Sequence, residues 1–127
     1  MLDTSVFIAH ESGRQLDASL IPDDIATTVV TLAELNAGVL AAASADVRAR
    51  RLATLDTIAD MVAFPIDEDA ARVWARLRIY LAEAKRRVRI NDLWIAAVAT
   101  SRGLPVVTQD CDFDALEGAA GVTIVRV

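Results

Sequence analysis

The chain has 127 residues, which suits one domain with a sizeable core. Apolar residues make up 54% and charged residues 24%, which excludes a disordered chain. The net charge of −5 excludes a protein that holds nucleic acid by bulk electrostatics alone, so any such function needs a local basic patch, a metal or both.

In chain order, Met1-Leu2 reads as the end of a strand, with Asp3 at its tip. Thr4 or Ser5 can cap a short helix through Val6, Phe7 and Ile8. Residues Gly13 to Asp24 are mixed, with a turn at Pro22-Asp23-Asp24. Ile25 to Val30 is β-branched and apolar, a buried strand. Thr31 then caps a helix, with Glu34 at the spacing of a capping box, and this helix runs to about Ala43. Ala45 to Ala59 forms the next helix, with Leu52, Leu55 and Ile58 on one face and Arg48, Arg50 and Arg51 towards solvent. Met61 to Ile66 is a short strand.

Asp67 opens a long helix with Glu68 and Asp69 in its first turn. Val73, Trp74, Leu77 and Leu81 recur at helical spacing, and Lys85, Arg86 and Arg87 close the basic end. The stretch from Arg89 to Ala99 is apolar all round, the pattern of a helix inside a core, yet Asn91 and Asp92 stand at its start as the expected N-cap. Gly103 and Pro105 end it. Leu104 to Thr108 is a strand, Asp110 to Leu116 a loop or short helix, and Val122 to Val127 the last strand.

Strands alternating with helices predict an α/β fold with a central, mostly parallel sheet flanked by helices on both faces, in one domain over residues 1–127. In such sheets a ligand lies outside the carboxyl ends of the strands. Asp3 ends the first strand, Glu34 lies in the first turn after the second, Asp110 follows Val106-Val107-Thr108, and Asp92 opens the helix returning to that strand. Each acid alone is an ordinary cap or turn residue. Four on one rim are a site, and Asp112 can join them. Gathered carboxylates repel, and a divalent cation removes the penalty. Hard oxygen ligands suit Mg²⁺ or Mn²⁺, and such sites activate water for in-line attack on a phosphodiester.

Four stretches carry a family resemblance: Leu2-Asp3-Thr4-Ser5-Val6, Thr31-Leu32-Ala33-Glu34-Leu35, Asn91-Asp92-Leu93-Trp94-Ile95-Ala96-Ala97 and Thr108-Gln109-Asp110-Cys111-Asp112-Phe113. In this order they resemble the PIN-domain ribonucleases, and among them the VapC-type toxins of bacterial toxin–antitoxin pairs. The resemblance spans the chain. It implies a PIN-like fold, Mg²⁺- or Mn²⁺-dependent endoribonuclease activity leaving a 5′-phosphate and a 3′-hydroxyl, a homodimer, and a small cognate VapB-type antitoxin. It makes Asp3, Glu34, Asp92 and Asp110 the catalytic and metal-binding set. Thr4, Ser5, Asn91 and Thr108 become hydroxyl or amide groups that orient these acids, with Asp112 a variable helper. One departure is that only two residues precede Asp3, fewer than is usual in the family, which leaves that strand open to fraying.

Lys85, Arg86, Arg87 and Arg89 form the densest basic run and lead straight to Asp92. A charge run is commonly a solvated helix end, but here Arg87 and Arg89 are candidates for RNA phosphate contact. His10, the only histidine, is taken as a surface or packing residue, and Trp74 and Trp94 as core. Arg72, Arg76 and Arg78 face solvent or pair with acids one turn away. Cys111 stands alone, without a disulfide or cysteine zinc site, which fits a reducing, cytoplasmic setting. No signal peptide is read, because Asp3 and Glu11 interrupt the first residues, and the longest apolar run, Leu35 to Ala43, is too short to span a membrane. The helices over Leu35–Ala43 and Ala45–Ala59 offer the apolar surface for the antitoxin. Two rivals stand beside this reading. One is an inactive PIN-like binding module. The other is an aspartyl-phosphate phosphatase, which Ser5 disfavours because it stands where that chemistry needs a second Asp.

Overall fold

The computed structural model describes residues 1–127. Met1–Asp3 leads into α1 (Thr4–Glu11), and a short 3₁₀ turn at Ala18–Leu20 follows. Strand β1 (Thr27–Thr28) precedes α2 (Val29–Leu40) and α3 (Ala45–Thr57). Strand β2 (Ala63–Phe64), α4 (Glu68–Glu83), α5 (Ile90–Ser101), β3 (Val106–Thr108), a 3₁₀ segment (Cys111–Leu116) and β4 (Ile124–Arg126) complete the chain.

Strands β1 and β2 pair in parallel, as do β3 and β4. The first residues join the two ladders. The Leu2 amide donates to Ala26 O, while Asp3 N donates to Val107 O and Val107 N to Met1 O. The pairing of Leu2 with Val107 is parallel. The sheet therefore runs β2, β1, Met1–Asp3, β3, β4. Met1 and Leu2 are buried, and the Met1 amino group donates to Pro105 O at 3.0 Å. Two residues suffice to hold Asp3, so the strand end is tied rather than frayed.

Neighbouring strand residues point to opposite faces, and this splits the core in two. Met1 and Val106 pack with Val73, Leu77 and Leu81 of α4 and with Leu93 through Ala99 of α5. Leu2 and Val107 pack on the other face with Val6, Phe7, Leu35 and Ile58. Helices thus cover both faces. Trp74 and Trp94 stack against the first core, with ring centroids 5.0 Å apart.

Several caps differ from expectation, each for a local reason. Asp3, not Thr4 or Ser5, caps α1. Thr28, not Thr31, caps α2 and accepts from Thr31 N at 3.1 Å. Val29 and Val30 are therefore helical, the strand shrinks to two residues, and Glu34 moves to the second turn. Arg89, not Asn91 or Asp92, takes the N-cap position of α5, with no side-chain capping bond. Leu52 is exposed rather than on the inner face of α3, whose buried residue is Thr54. Asp67 caps α4 as expected.

Phe113 is fully buried in the first core and anchors the 3₁₀ segment that follows Asp110. Phe113→Ala should cost about 3–5 kcal/mol. Denaturant unfolding followed by circular dichroism measures it, and a loss below about 1 kcal/mol would show that this segment does not share the core.

Candidate functional site

The expected acids arrive from four separate segments. Asp3 stands where the first strand ends, Glu34 on α2, Asp92 in the first turn of α5, and Asp110 at the N-cap of the 3₁₀ segment. All four line one cleft of about 210 Å³, together with Thr4, Ser5, Ile8 and Arg89. Because Arg89 takes the cap position, the Asp92 side chain is free to line this cleft and that of Asn91 to bond Glu34.

Each acid is held by a neighbour. Asp3 Oδ2 accepts from Thr108 Oγ1 at 2.8 Å and from Ser5 N at 3.2 Å. The single hydroxyl proton of Thr108 is thereby used, so Ser5 Oγ, 3.0 Å away, is the donor in the Ser5–Thr108 bond. Ser5 Oγ also accepts from Gln109 N at 2.9 Å, and Thr108 Oγ1 accepts from Asp110 N at 2.9 Å. This two-hydroxyl chain locks Asp3 to the backbone that carries Asp110. Glu34 accepts from Thr4 Oγ1 on one oxygen and from Asn91 Nδ2 on the other, the latter at 2.8 Å. Thr4, Ser5, Asn91 and Thr108 thus all touch the acids or the groups that hold them.

Arg89 is the one cation among the acids. Its Nε lies 3.1 Å from Asp92 Oδ2 and 2.8 Å from Asp112 Oδ2, and its Nη2 bonds Asp110 Oδ2. The surrounding acids raise the pKa of its guanidinium, Asp92 most of all. Asp92 is only 5% exposed. Burial is the main cause that pushes its carboxyl up to about 6, against the pull of Arg89 and helped by the charges of Asp3, Asp110 and Glu34.

Other expected residues lie elsewhere. Arg87 is exposed and does not line the cleft. It borders a separate surface concavity with Arg78, Lys85 and Arg86. His10 is exposed at the end of α1 and also stands off the cleft. Arg72 pairs with Glu68 and Asp69, as its spacing predicts. Three participants were not singled out from the sequence. Ile8 forms an apolar wall of the cleft. Gln109 ties the loop to Gln15 O and Val127 O. Cys111 places its thiol within 4.8 Å of the Asp110 and Asp112 carboxylates. The first and third were legible in principle, from the helical spacing of Thr4 and Ile8 and from the Asp-Cys-Asp run.

Hard carboxylate oxygens on a rim, one of them reluctant to ionise, fit a hard divalent cation. The PIN domain family matches residues 1–119. The chain belongs to the PIN-domain family. Within it, the chain is 74% identical over 127 residues to Ribonuclease VapC5 of Mycobacterium tuberculosis, covering 100% of this chain and 94% of that protein. It is 40% identical over 124 residues to Ribonuclease VapC4 of the same organism, covering 98% and 95%. The fold superposes on a chain of the crystal structure of VapBC-5, a toxin–antitoxin system of Mycobacterium tuberculosis, with a TM-score of 0.94 and 71% identity, covering 99% and 96%. The PIN fold and the VapC character expected from the four motifs are therefore borne out.

The raised pKa of Asp92 makes a signed prediction. A carboxyl with a folded pKa of about 6 against 3.8 destabilises the metal-free fold once ionised. The penalty is absent below the unfolded value, grows as pH rises through the folded value, and is full above it. Asp92→Asn should therefore stabilise the metal-free chain by about 1–3 kcal/mol at pH 7.5 and by nearly nothing at pH 4. Thermal melts with a chelator at both pH values check this. An equal loss of stability at both would show that burial and repulsion do not govern this carboxyl.

Proposed function

We propose that this PIN-domain chain is a Mg²⁺- or Mn²⁺-dependent endoribonuclease, one domain over residues 1–127 and the toxin half of a VapBC-type pair. The observation that carries the proposal is the convergence of Asp3, Glu34, Asp92 and Asp110 on one cleft, each already oriented by hydroxyl, amide or guanidinium groups. The names Ribonuclease VapC5 and VapC4, borne by relatives at 74% and 40% identity, support RNA as the substrate. The neighbouring VapBC-5 complex supports a VapB-type antitoxin as the partner.

Asp3, Asp92, Asp110 and Glu34 would hold the cation. Bound there, Mg²⁺ or Mn²⁺ supplies neutralisation of phosphoryl charge and activation of a water. The chain's own residues do the rest. Thr108 and Ser5 keep Asp3 in register with Asp110. Thr4 and Asn91 fix both oxygens of Glu34. Asp112 helps from the rim, where it meets Arg89. Arg89, at the mouth of the cleft, and Arg87, with Lys85 and Arg86 on the adjoining surface, receive the phosphate backbone. This local basic run answers a net charge of −5. Cleavage leaves a 5′-phosphate and a 3′-hydroxyl. No helix is long and apolar enough to cross a membrane, and the proposed setting is the cytoplasm. The antitoxin is placed on the α2–α3 side, where Leu40 is 81% exposed and Val29 and Leu52 are also open. A homodimer belongs to the same proposal.

The test is cleavage of total cellular RNA by purified, antitoxin-free chain with Mg²⁺, Mn²⁺ or EDTA. Discrete fragments should appear only with metal and only with wild type, not with Asp92→Asn. Thr108→Val, which leaves the acids in place but frees Asp3, should slow cleavage by about 10- to 100-fold. If Asp92→Asn cuts as fast as wild type, the assigned site is wrong. A folded wild type that binds RNA and antitoxin but cuts no RNA would instead make the chain a binding module.

A further inference from the structure

We propose that Arg89 is a built-in counter-ion that occupies the acidic cleft in the metal-free chain and has to leave it before a divalent cation can enter. The inference deepens the function proposed above and rests on it, because only a cleft that takes a cation has a use for the exchange. It makes the chain the regulator of its own metal site.

Four observations carry it. First, one guanidinium contacts three carboxylates, those of Asp92, Asp110 and Asp112, and two of these belong to the proposed metal-binding set. No other cationic side chain pairs with any acid of the cleft, while Asp3 and Glu34 meet only neutral donors. Second, the four acids do not converge on a point, and only Asp92 and Asp110 among them reach the guanidinium. The four cleft carboxylates do not bring one oxygen each within 4.8 Å of one another. The only set that does so is Asp110, Cys111 and Asp112, at the side. A Mg²⁺ ion held directly by more than two of them would need those oxygens closer than that.

Third, the charges do not permit both guests. Asp92 Oδ2 and Asp110 Oδ2 are the oxygens that Arg89 bonds. A divalent ion on the same oxygens would stand a few ångström from the guanidinium, and like charges at that distance repel strongly in a half-buried site. Fourth, the arginine is free to go. Its side chain is 64% exposed, its backbone is extended at φ −62° and ψ 149°, and its side chain caps no helix amide. A doubly charged competitor gains about twice what the guanidinium gains from the same carboxylates, so a latch of this kind yields to it. The displaced guanidinium remains tethered one residue before α5, at the mouth of the cleft, where an incoming phosphodiester offers it a new anion. The exchange therefore couples metal loading to the appearance of a phosphate-binding group.

The experiment measures metal binding without RNA, on the full antitoxin-free chain at low salt. Free Mn²⁺ is followed by electron paramagnetic resonance during titration of wild type, Arg89→Gln, Arg89→Lys, Lys85→Gln and Asp92→Asn. Arg89→Gln should bind Mn²⁺ about tenfold more tightly than wild type. Arg89→Lys, which keeps the charge but cannot span three carboxylates, should fall between them. Lys85→Gln removes the same charge outside the cleft and should stay within about twofold. Asp92→Asn should lose the site. In wild type, the Nε–H resonance of Arg89, identified by its absence in Arg89→Gln, should shift and exchange faster with water as Mg²⁺ is added. Equal or weaker Mn²⁺ binding by folded Arg89→Gln, or an Nε–H signal unmoved by saturating Mg²⁺, overturns the counter-ion and leaves the nuclease proposal standing. If wild type and Arg89→Gln both bind no divalent cation, the metal site fails and the exchange fails with it.

Discussion

Asp92 is an ionisable side chain at 5% exposure, set at the start of a helix whose other buried positions are all apolar. Few interiors accept such a charge without support. Here the support comes from two sides. The first-turn position on α5 gives a favourable helix dipole. Arg89 lies back across the same turn at 3.1 Å. Opposed to both are burial and the like charges of Asp3, Asp110 and Glu34, and these win, since the carboxyl ends up easier to protonate than a free one. The structure around it can be understood as the means of keeping four repelling carboxylates in one place.

That task explains the sheet as much as the site. Parallel strands bring their carboxyl ends to one edge, and the two-residue start of the chain sits centrally between β1 and β3. Val106 and Val107 then send their side chains to separate cores, so the strand that precedes Asp110 is clamped from both faces. Thr108, the next residue, turns this rigidity into alignment. Its one hydroxyl, 105 positions from Asp3 in sequence, joins that carboxylate to the amide of Asp110. An aliphatic residue would pack as well there but would leave Asp3 without its closest partner.

Much of this was legible from residue order. The capped, 3.6-periodic α4 and the all-apolar α5 were found with nearly the right bounds, because local propensity and burial point the same way there. The departures at the caps share one cause. At Thr4 or Ser5, at Thr31, and at Asn91 or Asp92, capping rules assigned a polar side chain to the nearest helix start. The structure gives those caps to Asp3, Thr28 and Arg89. Thr4, Ser5 and Asp92 instead line the cleft and Asn91 bonds one of its acids, held by partners far away in sequence such as Glu34 for both Thr4 and Asn91. A local rule cannot see a competitor 30 or 57 residues distant. The same blindness hides the partners of Arg89. The sequence offers it as a phosphate contact, and only the fold brings Asp110, 21 residues on, against it.

Two acid–arginine arrangements in this chain separate a strut from a site. Asp67 caps α4 by accepting from Ala70 N at 2.9 Å and pairs with Arg102 at 2.7 Å. Those bonds hold its carboxyl below the usual range, the backbone bond first. Arg102 lies over the Phe64 ring at 4.5 Å and holds α5's end against β2. The two charges there answer each other one for one, although Arg102 Nε is buried without a hydrogen-bond partner. Asp92 shows the opposite balance. It has an arginine at a similar distance, yet its carboxyl is pushed up, because burial penalises its charge and three more carboxylates face it. A single positive charge leaves that cluster under-neutralised, and the arginine that supplies it is exposed and uncommitted to any cap. An acid whose partner lowers its pKa is finished as structure. An acid whose pKa stays raised despite a partner marks a place where more positive charge is wanted, and in this fold that place is the edge where the strands end.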